Sequence, residues 1–123
     1  MTPQAAIAML DRQLASNGQD VTLSRTVAGA PAVVVVRCAV KNGDSLQTQD
    51  PFGKSQGSFK LIMSPTQIEA TGWPGGTPVG GFDQRIPINQ DRAIINGHIR
   101  TIQVAIGIYM ANTLVRIEAL AVG

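Results

Sequence analysis

The chain has 123 residues, 44% of them apolar but only 4% aromatic, and its ten basic and eight acidic side chains leave a net charge of +2. That length makes a single domain, residues 1–123, able to take about two-thirds of its unfolded surface out of water, with a core drawn mainly from Val, Ile, Leu and Ala. The charge is too small to predict a strong electrostatic grip on nucleic acid or on an anionic membrane.

The N-terminus predicts a helix. Thr2 is placed to cap it, Pro3 suits its first position, and Ile7, Leu10 and Leu14 recur at helical spacing. Ser16-Asn17-Gly18 ends it, with Gly18 free to take the left-handed conformation. No basic region precedes the short apolar stretch here, so it does not read as a signal peptide. The longest apolar run, 102–111, is too short to span a bilayer and carries Gln103, which gives the expectation of a soluble chain made in a cytoplasm.

The period then changes to two. Val21, Leu23 and Val27 alternate with Thr22, Ser24 and Thr26, which predicts a half-exposed strand. Ala28-Gly29-Ala30-Pro31 turns the chain into a longer, nearly continuous apolar strand over 32–41, containing the lone cysteine, Cys38, expected to be buried and inert. Residues 42–57 break this pattern with three glycines, a proline, amides and mixed charge, and only Leu46 and Phe52 as large apolar side chains. Such a loop is either a surface hairpin or a working loop.

Phe59, Leu61 and Met63 alternate in a third strand. Ser64 as N-cap, Pro65 at the first helical position, Gln67 in the capping-box place and Gly72 as terminator predict a short internal helix. The stretch from Trp73 to Phe82 reads as a stiff Gly/Pro connector; it lacks the leading strand and the Gly-Lys-Ser/Thr of a nucleotide loop. Trp73 is expected to close one end of the core rather than to serve as a ligand platform. Asn96-Gly97 between apolar runs is a hairpin signal, Ile102, Val104, Ile106 and Ile108 alternate after it, and a turn at 111–113 leads to a closing strand. In that strand Val115, Ile117, Ala119 and Ala121 face one way, with Arg116 and Glu118 on the other. The fold class is therefore mainly β: a small antiparallel β-barrel or sandwich of about six strands with two short helices.

Little in the sequence points to catalysis. His98, the only histidine, falls at a hairpin tip, and neither it nor Cys38 has the companions of a metal site or a nucleophile pair. The acids Asp11, Asp20, Asp44, Asp50, Glu69, Asp83, Asp91 and Glu118 are scattered, mostly at turns or caps. No enzyme, metal or cofactor is expected. A nucleic-acid-binding β-barrel would need aromatic platforms along a basic groove. Phe52, Phe59, Trp73, Phe82 and Tyr109 are few for that role and the basic residues are dispersed, which leaves it as the alternative reading.

The order of parts carries a resemblance. "DRQLASNGQDVTLSR", the long polar loop, "SFKLIMSPTQIEATGWPGG" and the terminal "INGHIRTIQVAIGIYMANTLVRIEALAVG" follow one another over nearly the whole chain. In this order they resemble the head-completion (head-closure, or stopper) proteins of tailed bacteriophages. The resemblance implies a virion protein of the neck, assembled in the host cytoplasm as a hexameric or dodecameric ring. Portal or adaptor protein would lie above it, a tail or tail-terminator protein below, and packaged double-stranded DNA would pass through it without sequence specificity or any membrane. It also implies that the loop between the second and third strands lies at the central channel. Here that loop offers Lys41, Asn42, Asp44, Gln47, Gln49, Asp50, Phe52, Lys54 and Gln56 as candidate gating residues. Trp73, Pro74, Arg85, Arg116 and Glu118 are the candidates for contacts between subunits.

Overall fold

A computed structural model describes residues 2–42, 58–75 and 83–123. Helix α1 (Pro3–Asn17) is followed by β1 (Gln19–Val27), β2 (Ala30–Asn42), β3 (Ser58–Met63), α2 (Thr66–Thr71), β4 (Arg92–Ile95), β5 (His98–Met110) and β6 (Thr113–Val122). The strands close into an antiparallel barrel in the order β1-β2-β3-β6-β5-β4. Closure pairs sheet edges that would otherwise recruit other chains. Its shortest seam is β1 with β4, where Thr22, Leu23 and Ser24 face Ile94, Ala93 and Arg92.

Three tight turns set the register. Ala28-Gly29, Asn96-Gly97 and Ala111-Asn112 all have positive φ at both central positions, the primed geometry that matches the twist of paired strands. Inward-facing Val21, Leu23, Val34, Val36, Cys38, Leu61, Met63, Ala93, Ile95, Ile102, Leu114, Ile117, Ala119 and Ala121 then fill the barrel. The filling is aliphatic, as the composition requires.

Both helices end differently from expectation at one terminus. Thr2 does cap α1, accepting from the Ala5 N–H at 3.1 Å. Gly18, however, is extended (φ −92°) rather than left-handed. Its glycine is needed for space: a Cβ there would lie 2.6 Å from the Leu14 carbonyl oxygen and 2.8 Å from that of Cys38. At α2 the N-cap is Pro65, one residue later than expected, and Gly72 is left-handed as expected (φ 70°). Ser64 is wholly buried and its hydroxyl donates to Asp11 of α1, while the Thr66 hydroxyl donates to the other Asp11 oxygen at 2.7 Å. Ser64 clasps the two helices and its Oγ also accepts from the Thr66 N–H at 3.4 Å, but Gln67 does not complete a capping box. Gln67 keeps a buried Oε1 without a partner among the described residues.

The largest correction concerns β5. Ile102 pairs with Ala121 and Val104 with Leu120, so Gln103 is an extra residue bulged out of the ladder. A one-residue insertion inverts every later side chain. Ile102 is therefore buried, while Val104, Ile106 and Ile108, expected on its face, point outward at 53%, 56% and 37% exposure. Gly107 now points inward, where a Cβ would meet Ile86 Cδ1 at 2.5 Å and Leu114 Cδ1 at 2.8 Å. A second shift at Val115 brings Leu114 into the core and leaves Val115 buried outside it, beside Met9 and Leu10 of α1.

Candidate functional site

The candidate loop leaves the barrel from the end of β2. Lys41 is exposed there, opposite Lys60 of β3, and the backbone of Asn42 pairs with that of Phe59. Asp44, Gln47, Gln49, Asp50, Phe52, Lys54 and Gln56 lie outside the described residues, as do 76–82 of the connector. At this end of the barrel the Arg100 guanidinium stacks 4.1 Å from the Phe59 ring centre and donates to the Gly123 carbonyl at 2.8 Å.

Trp73 is turned into its own subunit. It is 5% exposed, its indole N–H donates to the Ala32 carbonyl at 2.8 Å, and Arg25 stacks 4.7 Å from its ring centre. That is the lid expected from the sequence, and it leaves almost none of the ring for a neighbouring subunit. Pro74, joined to it by a cis peptide bond, is half-buried. Arg25 continues the closure: its Nε and Nη2 bond the carboxylate of Asp91 at 2.7–3.0 Å, and Nη1 and Nη2 reach the carbonyls of Gln84 and Ile86. Asp91, 3% exposed, also accepts from the Ile88 N–H at 2.9 Å. Strict alternation puts Arg25 on the core face of β1 between Leu23 and Val27, a signal in the sequence that a buried partner was required.

Arg85 is likewise engaged within the chain. It holds Asp83 through Nε and Nη2 at 3.0 and 2.8 Å and reaches Glu69 of α2 at 3.2 Å, while the Tyr109 hydroxyl donates to Asp83 at 2.8 Å. Hydrogen bonding from Arg85 holds the Asp83 carboxyl down at about 2, and the same carboxylate raises the Tyr109 phenol above its ordinary value. A carboxylate held so low and a phenol pushed up are mismatched to proton transfer near neutrality. Cys38 is fully buried, and desolvation, helped by the charge of Asp20, pushes its thiol up to about 12, so it presents no thiolate. His98 is exposed at its hairpin tip. Among the described residues no three His, Cys, Asp or Glu side chains are grouped to hold a metal ion.

Arg116 and Glu118 do lie on the outer face of β6. Arg116 Nε is 2.9 Å from Glu118 Oε2, without the alignment of a hydrogen bond, and Lys60 reaches the other Glu118 oxygen at 3.1 Å. Lys60 and Glu118 line a shallow groove of about 410 Å³ whose apolar walls are Val104, Ile106 and Leu120. A second depression of about 410 Å³ lies on the far side, between Val35 and Arg37 of β2, Asp20 of β1 and Leu14 and Asp11 of α1. Val33 and Val35 stand beside it at 60% and 54% exposure. Among the described residues the barrel thus offers two separate apolar faces, one over β5 and β6 and one over β2. The sequence reading missed the β5 face because it carried the alternation straight through Gln103. Length gave no warning, because 101–110 and 113–122 pair over equal lengths, the extra Gln103 in β5 being matched by the extra Val115 in β6.

No protein-family model matches the chain, and no curated protein matches its sequence.

Proposed function

We propose that this chain is a non-catalytic ring subunit of a tailed-phage neck, closing the DNA-filled head below the portal and giving the tail a surface to dock on. The observation that carries the reading is the barrel's outer surface: exposed β-branched side chains on two different strands, Val33 and Val35 on one and Val104 and Ile106 on the other. Scattered apolar side chains on a surface are ordinary, but clustered ones mark places where another molecule sits. The sequence resemblance to head-completion proteins names the kind of assembly. Two of the aromatic rings agree with it, since Phe59 and Trp73 are packed with the core, while Tyr109 stands exposed on β5. The low net charge suits a channel through which DNA must slide without being gripped.

The test is the copy number of this chain relative to portal protein in purified particles, by quantitative mass spectrometry. A fixed ratio of one to one or one to two is expected. Absence from particles would overturn the reading, and tight, salt-sensitive binding of single-stranded DNA by the free protein would then put the nucleic-acid-binding barrel in its place.

A further inference from the structure

We infer that Asn96 is a self-modification site: at the β4–β5 turn its side chain closes on the Gly97 backbone nitrogen, loses ammonia and reopens as aspartate or isoaspartate. The inference stands apart from the proposed ring and does not rest on it.

Asparagine is among the chemically labile residues, and a following glycine favours the reaction because no side chain shields the attacking nitrogen. The sequence holds three Asn-Gly pairs, at 17–18, 42–43 and 96–97. The structure separates the first from the last, while Gly43 lies outside the described residues. At Asn17 the nucleophile is held in place. The Gly18 N–H donates to the Leu14 carbonyl at 2.8 Å, and the residue sits so close to that oxygen and to the Cys38 carbonyl that a methyl group would not fit. The Gly18 nitrogen cannot approach the Asn17 side chain without giving up that bond and that packing.

At Asn96 neither restraint exists. Asn96, Gly97 and His98 are all exposed. Beyond the chain neighbours nothing lies within 4 Å of the place a Gly97 Cβ would take, and the Gly97 N–H has no backbone acceptor among the described residues. Both turn residues have positive φ, 52° and 81°, so ring closure needs the turn to rotate. That rotation disturbs only the last rung of the hairpin, Ile95 with His98, and terminal rungs open far more readily than strand interiors.

The reaction balances with water as the one co-reactant. The Gly97 nitrogen bonds to Asn96 Cγ, the Cγ–Nδ2 bond breaks, and ammonia leaves with the proton that the Gly97 nitrogen carried. Water then opens the five-membered imide. Cleavage between Cγ and the nitrogen restores the ordinary backbone with aspartate. Cleavage between the Asn96 backbone carbonyl and the nitrogen leaves isoaspartate, with one methylene added to the main chain. Either product lowers the net charge of +2 by one. Only isoaspartate lengthens the turn, and it does so next to β4, whose three-residue pairing with β1 closes the barrel. Aspartate suits the same turn as asparagine does.

The test incubates the full chain at mildly alkaline pH, folded in one sample and unfolded in urea in another, and follows its tryptic peptides by mass spectrometry. Peptide 93–100 carries Asn96 as its only side-chain amide, and peptide 13–25 carries Asn17. In the folded chain Asn96 is expected to convert at least about tenfold faster than Asn17, which must first break a hydrogen bond and its packing. In urea the two are expected to convert at comparable rates. The isoaspartyl form, isolated by ion exchange, is expected to melt below the parent, and Asn96→Asp to melt with it. Equal rates at the two sites in the folded chain would overturn the assignment. So would an intact Asn96 in the folded chain once the urea sample had fully converted. An isoaspartyl form melting with the parent would overturn the link to barrel closure.

Discussion

Replacing Arg25 with Ala is expected to be among the most damaging single changes in the barrel. Its guanidinium gives three N–H contacts to an Asp91 carboxylate whose side chain is 4% exposed, and without them the Ile88 N–H is the remaining donor to that carboxylate. Removing one partner of a buried ion pair costs about 3–5 kcal/mol, because the survivor is left charged in a poor solvent. The bonds to Gln84 and Ile86 and the stacking on Trp73 go at the same time. They overlap with the first loss, so about 4 kcal/mol is expected in total, a large share of the roughly 5–15 kcal/mol that holds a domain together. Arg25→Met with Asp91→Leu removes both charges and leaves chiefly the Ile88 N–H unpaired, for about 1–3 kcal/mol. Urea unfolding followed by the fluorescence of Trp73, the only tryptophan, measures Arg25→Ala and the four members of the cycle: the parent, Arg25→Met, Asp91→Leu and the pair. A loss below about 1 kcal/mol for Arg25→Ala, or a double variant as unstable as the sum of the singles, would refute the reasoning.

Gly18→Ala is expected to destabilise by about 1–3 kcal/mol in the same assay, since the new methyl meets two backbone carbonyls that cannot swing aside. Asp83→Asn should lower the thermal midpoint near neutral pH. Asp83's carboxyl is depressed in the folded state, so its contribution is fully present above the ordinary value of 3.8 and lost as pH falls through about 2; the gap between variant and parent should close over that window, and a gap constant with pH would contradict the assignment. Deleting residues 44–55 should leave circular dichroism and the unfolding midpoint nearly unchanged while particles lose their DNA. Equal DNA retention would remove the gating role and leave the ring.

Local chemistry was legible wherever it was decided locally. Asn96-Gly97 and the turns near 28 and 111 could be read because neighbouring residues alone determine them, and Thr2 needed only the first turn of its helix. What escaped was decided at long range. Ser64 has the look of an N-cap, and its Oγ does accept from the Thr66 N–H, but its hydroxyl hydrogen goes to Asp11, 53 residues earlier. Arg25 and Asp91 are 66 residues apart, and Asp91 reads as one more turn aspartate until the barrel closes around it. Gly18 reads as free to turn left-handed, whereas its place between two backbone carbonyls demands room. The exposed face of β5 was hidden by a single residue, since alternation says nothing of a bulge until the partner strand is known.

That bulge ties the fold to the proposed assembly. A closed barrel pairs its strands to one another, so a neighbour must be recognised chiefly by side chains standing on strand faces. Were Gln103 paired in the ladder instead of bulged from it, alternation from Ile102 would turn Val104, Ile106 and Ile108 inward, where Ala105 and Gly107 now leave room for Ile86 and Leu114. The core would be overfilled and the outer face would lose its apolar character. Because Gln103 is bulged out of the ladder, the same strand contributes Ile102 to the core and three β-branched side chains to the outside. A strand that divides its apolar residues in this way is suited to a subunit whose neighbours complete its burial.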